Sequence, residues 1–246
     1  MIIYGKTDKG NVRSVNEDSY CIVENDNGDF LAAVCDGIGG SAAGEQASKL
    51  AVVTMAQRFE KAAPFQKDYE VADWIRSALH QANDAIYSKS MHSKKSRGMG
   101  TTAVGCLITS IGTYIFNAGD SRLYAVYKDG MTQMTEDHSV IAQLLRENRI
   151  TQEEARNHSQ RNTLTNALGV WRVFRIDINK IEPDWETLLI CSDGLHGYVE
   201  ASEIERVLTD PLLNTEKKAE ILVNMANNAG GLDNVTVVLC EKESAA

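Results

Sequence analysis

Apolar residues in this chain fall mostly into short runs rich in Val, Ile, Tyr and Thr, the pattern of strands. Such runs predict strands at Ile2–Thr7, Tyr20–Glu24, Phe30–Cys35, Thr102–Thr109, Thr113–Ala118, Arg122–Tyr127, Val173–Ile181, Thr187–Cys191 and Asn234–Cys240. Ser110–Thr113 (SIGT) and Lys128–Gly130 (KDG) have the composition of hairpin connections. Helical spacing interrupts the strands twice early on. Ala43–Lys61 carries Ala47, Leu50, Ala51 and Met55 on one stripe, and Tyr69–Lys89 carries Trp74, Ala78, Leu79, Ala82 and Ile86. Thr215–Ala229 repeats the spacing with Ile221, Leu222, Met225 and Ala226, then stops at Gly230-Gly231 as a helix end would. Ser139–His158 is helical and polar. It reads either as a solvated connection or as a flap beside a cleft, spanning about 139–165.

Successive antiparallel strands with long helices set apart predict an α+β fold, a β-sandwich flanked by helices. No Pro-rich or Ser/Gly-rich linker divides the chain, whose prolines are Pro64, Pro183 and Pro211, so one domain over residues 1–246 is expected.

Several predicted strands share an ending. The run Phe30–Cys35 meets Asp36, followed by Gly37, Gly39 and Gly40; Thr113–Ala118 leads to Asp120; Thr187–Cys191 leads to Asp193. Asp233 stands just before the last strand, and Glu17 and Asp18 just before the second. One Asp-Gly at a strand end is ordinary turn chemistry. The recurrence suggests carboxylates gathered at one mouth of a sandwich, where they would repel one another unless cations neutralised them. Such an all-oxygen set suits Mg²⁺ or Mn²⁺ better than softer metals, and the bare glycines would let backbone and waters approach the ions.

Composition narrows the classes. Of 246 residues, 43% are hydrophobic and 24% charged, ordinary for a globular protein, and the net charge of −9 argues against nucleic acid as partner. The five cysteines, Cys21, Cys35, Cys106, Cys191 and Cys240, are scattered in apolar runs without C-x-x-C spacing, so neither a disulfide framework nor a zinc site is expected. The start, MIIYGKTDKG, has no leader pattern and no run approaches the ~20 apolar residues of a membrane span. A cytoplasmic location is the simplest expectation.

One further stretch, SKKSRG, forms a basic cluster of Lys94, Lys95 and Arg97, read as a solvated loop or a dock for acidic phosphopeptides.

The ordered motifs R-x-x-N-E-D (Arg13–Asp18), D-G-x-G-G (Asp36–Gly40), G-T-T (Gly100–Thr102), A-G-D-S-R (Ala118–Arg122), D-H-S (Asp137–Ser139), A-L-G (Ala167–Gly169), S-D-G (Ser192–Gly194) and D-N-V-T (Asp233–Thr236) together resemble the metal-dependent type 2C serine/threonine protein phosphatases, above all compact bacterial members. The resemblance implies a four-layer fold, two antiparallel sheets between helix pairs, and hydrolysis of phosphoserine and phosphothreonine in proteins by a water held between two Mn²⁺ or Mg²⁺ ions. By motif match Asp36 would bridge the ions. Asp193 and Asp233 would complete one, and Glu17 with the carbonyl of Gly37 the other. Asp18 would hold a water on the metals, Asp120 with Asp193 would form a weaker third site, and Arg13 would bind the phosphate. The implied partners are phosphorylated proteins, among them a Ser/Thr kinase and its substrates; a monomer is expected, with no membrane or nucleic-acid partner. Two alternatives stand beside this reading: a silent phosphoprotein-binding regulator, whose usual mark would be a lost ligand carboxylate, and a stress-pathway regulator phosphatase. At two positions where relatives carry histidine the chain has Ile38 and Ser41. The proton for the leaving alkoxide is then left to water, His138 or His196.

Overall fold

The computed structural model describes residues 1–39, 42–92 and 96–243. Gly40, Ser41, Lys94 and Lys95 lie outside the described residues. All strand pairings are antiparallel. One sheet runs β1 (Ile2–Asp8), β12 (Val235–Glu241), β11 (Thr187–Cys191), β8 (Arg122–Tyr127) and β9 (Gly130–Gln133). The second runs β10 (Asp177–Ile181), β7 (Gly112–Ala118), β6 (Ala103–Thr109), β3 (Phe30–Cys35) and β2 (Ser19–Glu24). A two-stranded ribbon pairs β4 (Gly37–Ile38) with β5 (Gly100–Thr101).

The inner strands read as continuous apolar runs because both of their faces are covered. In β3, Ala32 and Val34 enter the core between the sheets, while Leu31, Ala33 and Cys35 face helices α1 (Ala42–Phe59) and α2 (Asp68–His92). In β11, Leu188 and Ile190 face inward, while Leu189 and Cys191 pack with α6 (Ala201–Leu208) and α7 (Thr215–Asn228). The layers are therefore helices, sheet, sheet, helices, as expected. Trp185, 1% exposed, closes the inter-sheet core and donates its indole N–H to Thr113 Oγ1 at 3.2 Å. Trp185→Ala is expected to destabilise the chain by ~3–5 kcal/mol in urea unfolding. A loss under ~1 kcal/mol would mean that the two sheets do not depend on this plug.

Most predicted elements appear within a few residues of their expected ends. The strand expected at Val173–Ile181 begins only at Asp177. Val173 is 84% exposed, and the backbone N–H and C=O of Arg175 are both taken by the Asn166 side chain (2.8 and 2.9 Å), which withholds them from the ladder. The polar segment Ser139–His158 is two short helices, α3 (Val140–Arg146) and α4 (Gln152–Arg156). Asn148 at φ 53° and the capping box of Thr151 with Glu154 separate them. The segment leaves and returns at one base, where Val140 N–H donates to Thr163 C=O at 2.9 Å and Ser139 bridges Leu164. β4, β5, β9 and α6 were not anticipated, nor was the single turn α5 (Asp193–His196).

Candidate metal centre

Strand register brings the acidic strand ends together. Ser19 pairs with Cys35, which sets Glu17 and Asp18 beside Asp36. Cys191 pairs with Val237 on one side and Arg122 on the other, which sets Asp193, Asp233 and Asp120 along the same edge. Both edges form one end of the sandwich.

Close backbone approach then tightens the cluster. Gly37 donates its N–H to Glu17 C=O at 3.1 Å, and a Cβ on Gly37 would fall 2.3 Å from Gly44 C=O. A Cβ on Gly44 would fall 2.6 Å from Glu17 Oε1, and one on Gly194 only 1.9 Å from Asn234 C=O. Side chains are excluded at these contacts, so the first turns of α1 and α5 reach the acidic residues.

The uncharged motif residues are the scaffold. Thr101 Oγ1 donates to Asp36 C=O and Asp36 N–H donates to Thr102 Oγ1, each at 2.9 Å. Thr102 Oγ1 also meets Ser121 Oγ at 2.7 Å, tying the Asp36 and Asp120 segments together. Ser192 Oγ donates to Asp18 Oδ2 at 2.7 Å. The Asn234 amide accepts from Glu17 N–H at 2.8 Å and donates to Lys9 and Val15 carbonyls, both at 2.9 Å. Arg122 grips Asp137 through two guanidinium nitrogens (Nε at 2.9 and Nη2 at 2.7 Å). Leu168 exchanges two backbone hydrogen bonds with Thr101, placing the A-L-G segment beside β5.

The charges are unfavourable as they stand. Burial, then the charges of Asp18, Asp193, Asp120 and Asp233, hold the Asp36 carboxyl well above the usual range. Burial and Asp193 do the same to Asp120. Burial, with the charges of Asp193 and Asp233, pushes Asp18 up to about 7 against the hydrogen bond from Ser192. Burial and the Asp233 charge push Asp193 up to about 6. Glu17 rises mainly through burial. Arg13 reaches in from the exposed rim, where Nη2 donates to Asp233 Oδ2 at 2.7 Å.

Whether these residues fit divalent cations can be judged from their oxygens. Glu17 Oε1 and Asp18 Oδ1 are buried without a hydrogen-bond partner, a costly state for a carboxylate that a cation or its water would relieve. Among the described residues no three acidic, His or Cys side chains already close on one point. An oxygen-only set with an excess of negative charge and unsatisfied lone pairs fits Mg²⁺ or Mn²⁺.

The two candidate histidines are held by other groups. His138 Nε2 meets Asp177 Oδ2 at 2.9 Å, and its Nδ1 faces the Asn166 amide nitrogen at 2.8 Å and Gly119 N–H at 3.3 Å. His196 Nε2 donates to Asp120 C=O at 3.0 Å, and desolvation, with the Arg122 charge, lowers its pKa to about 3. Nothing in the sequence pattern signalled these partners, nor the partner of Arg13, because each is set by tertiary register.

A sequence profile of the family described as Protein phosphatase 2C matches residues 9–242. The chain belongs to the protein phosphatase 2C family. It is 36% identical over 238 residues to a protein of Listeria innocua named serine/threonine phosphatase stp, covering 96% of this chain and 94% of that protein. It is 34% identical over 241 residues to the protein phosphatase PhpP of Streptococcus pneumoniae, covering 95% and 94%. Its fold is similar to the crystal structure of serine/threonine phosphatase Stp1 from Staphylococcus aureus, with a TM-score of 0.90 at 34% identity over 98% of this chain and 95% of that one. It is also similar to the Mycobacterium tuberculosis serine/threonine phosphatase PstP/Ppp, with a TM-score of 0.87 at 32% identity over 99% of each chain. Type 2C phosphatases depend on Mg²⁺ or Mn²⁺, in keeping with the donor set of this one.

Proposed function

We propose that this type 2C phosphatase hydrolyses phosphoserine and phosphothreonine in proteins, opposing a bacterial Ser/Thr kinase and acting on that kinase's substrates. The observation that carries this reading is the meeting of Glu17, Asp18, Asp36, Asp120, Asp193 and Asp233, from five separate strand ends, with Arg13 at their rim. Asp36, Asp193 and Asp233 would hold one ion; Asp36, Glu17 and the Gly37 carbonyl would hold another; and Asp120 with Asp193 would hold a weaker third. When bound, such ions acidify water and offset charge on the transferring phosphoryl group.

The chain's own groups do the rest. Ser192 fixes Asp18 Oδ2, which leaves Oδ1 to accept a hydrogen bond from the attacking water. Arg13 is half exposed, so its guanidinium can swing from Asp233 to the phosphoryl oxygens, which a planar fork suits. Ile38 offers no proton, and both nearby imidazoles are already engaged, so the leaving alkoxide takes its proton from water. Residues 139–165 would form a flap over the cleft of a single-domain monomer. A cytoplasmic site of action fits a chain in which no helix among the described residues is long and apolar enough to cross a membrane.

The regulator alternative is not favoured, since Glu17, Asp36, Asp193 and Asp233 are all present. A phosphothreonine peptide incubated with the protein and Mn²⁺ is expected to release inorganic phosphate over many turnovers. Tight peptide binding without phosphate release would favour the regulator.

A further inference from the structure

The turn between β7 and β8, Gly119 to Ser121, is held from several sides at once. Gly119 has φ +127°, and a Cβ there would fall 2.6 Å from the Thr102 side chain, so the turn lies flat against the G-T-T segment. Ser121 meets Thr102 on that side. On the other, His138 N–H donates to Gly119 C=O at 2.9 Å, and His138 Nδ1 accepts from Gly119 N–H at 3.3 Å. Asn166 fixes which His138 nitrogen accepts. Its Oδ1 takes Arg175 N–H, so its amide group must be the one facing Nδ1, and Nε2–H is left to donate to Asp177. The carbonyl of Asp120 itself accepts from His196 Nε2.

His196 sits one helical turn after Asp193 in α5. Its bond therefore links the helix that carries Asp193 to the backbone of Asp120, whose carboxyl feels the charge of Asp193 more strongly than that of any other neighbour. We propose that His138 and His196 are positioning residues that brace the Gly119–Ser121 turn, His138 from the base of the 139–165 segment and His196 from α5, so that Asp120 stays beside Asp193. The proposal deepens the assignment above and rests on it only for the part Asp120 plays with metal.

Atom-matched substitutions separate this brace from general packing. Gln places its amide near the Nε2 position of histidine, and Asn near the Nδ1 position. His196→Leu is expected to speed hydrogen exchange of the 119–122 amides in metal-free protein. It should also raise the Mn²⁺ concentration for half-maximal kcat by about 10–100-fold, the usual cost of losing a group that orients a ligand. The KM for a phosphopeptide should move less than about twofold. His196→Gln, which keeps the donor, should recover most of both effects. His138→Asn keeps the acceptor for Gly119 and should disturb the turn less than His138→Gln, which keeps only the Asp177 bond. On an Asp120→Asn background, His196→Leu should not shift the Mn²⁺ dependence further.

Unchanged exchange in His196→Leu would overturn the brace whatever the enzyme does. The reverse order for His138, with Gln mild and Asn severe, would assign that residue to β10 and overturn its half of the proposal. Faster exchange with an unchanged Mn²⁺ profile would leave the brace standing and overturn the link to metal, and with it the place of Asp120 in the site. Should His196→Leu fail to fold, the His138 pair and His196→Gln still give the ordering.

Discussion

Chelation of divalent cations is expected to abolish phosphate release, and Mn²⁺ or Mg²⁺ to restore it where Ca²⁺ does not. The donor set is all oxygen, and its carboxylates are pressed together by strand register. Ca²⁺ would enter such a site but prefers a larger shell and acidifies water less. The same cluster leaves a mark on stability that needs no substrate. Asp193 and Asp18 hold their protons up to about 6 and about 7 in the folded chain, by burial and by neighbouring charges (Asp233 on both, and Asp193 on Asp18), while an unfolded aspartate releases its proton near ~3.9. Between those values the folded state binds more protons than the unfolded one, so stability falls as pH rises. The favourable contribution of these groups is therefore complete below ~4 and lost as pH climbs through about 6 and about 7. Metal-free protein should melt higher near pH 6 than near pH 8. Added Mn²⁺ should raise the melting temperature, and most at the alkaline end, where protons compete least for the carboxylates. Undiminished turnover in excess EDTA would overturn the metal assignment. A metal-free protein that melts higher at pH 8 would show that the carboxylates are not crowded in solution.

Much of this arrangement is legible in the amino-acid sequence. β3 and β11 were read to the residue because a strand covered on both faces is a bare apolar run between polar punctuation. Asp36, Asp120 and Asp193 were legible for the same reason, each being the first charge after such a run, and Glu17, Asp18 and Asp233 because each stands just before one. That they meet is a matter of register, which periodicity does not carry; motif order supplied it. Three kinds of feature were out of reach. The ribbon of β4 and β5 has two residues a side, too few to show a period. The false start at Val173 has the composition of a strand, and it is overruled by one side chain, Asn166, arriving from outside the element. α6 has its apolar positions at Ile204, Val207 and Leu208 within a short polar stretch, so its face shows only once β11 lies under it. The histidines belong with these. A lone His carries no spacing signal, and its role here is written in carbonyls and amides contributed by other segments.

The sharpest division between a functional and a structural aspartate comes at Asp36. Asp36→Asn is expected to lower turnover by about 10³-fold or more, on the scale of losing a group that holds catalytic charge in place. The fold should survive, because Asp36 is anchored through its backbone: Thr102 N–H and Thr101 Oγ1 donate to its carbonyl, and its own N–H donates to Thr102 Oγ1. None of those bonds uses the carboxyl. Removing the charge also removes a carboxyl that its neighbours oppose, since Asp18, Asp193, Asp120 and Asp233 all act on it. Asparagine keeps the shape and adds an N–H₂ that can donate to Asp193, a bond that two ionised carboxylates cannot make. Metal-free Asp36→Asn should therefore melt at the same temperature as the parent or higher, with the difference widening above pH 7, and its stabilisation by Mn²⁺ should largely disappear. Circular-dichroism melts with and without Mn²⁺, run beside phosphopeptide turnover, give all three readings from one preparation. A large loss of metal-free stability would return Asp36 to the role of an ordinary Asp-Gly turn residue. Full turnover would remove it from the centre of the chemistry.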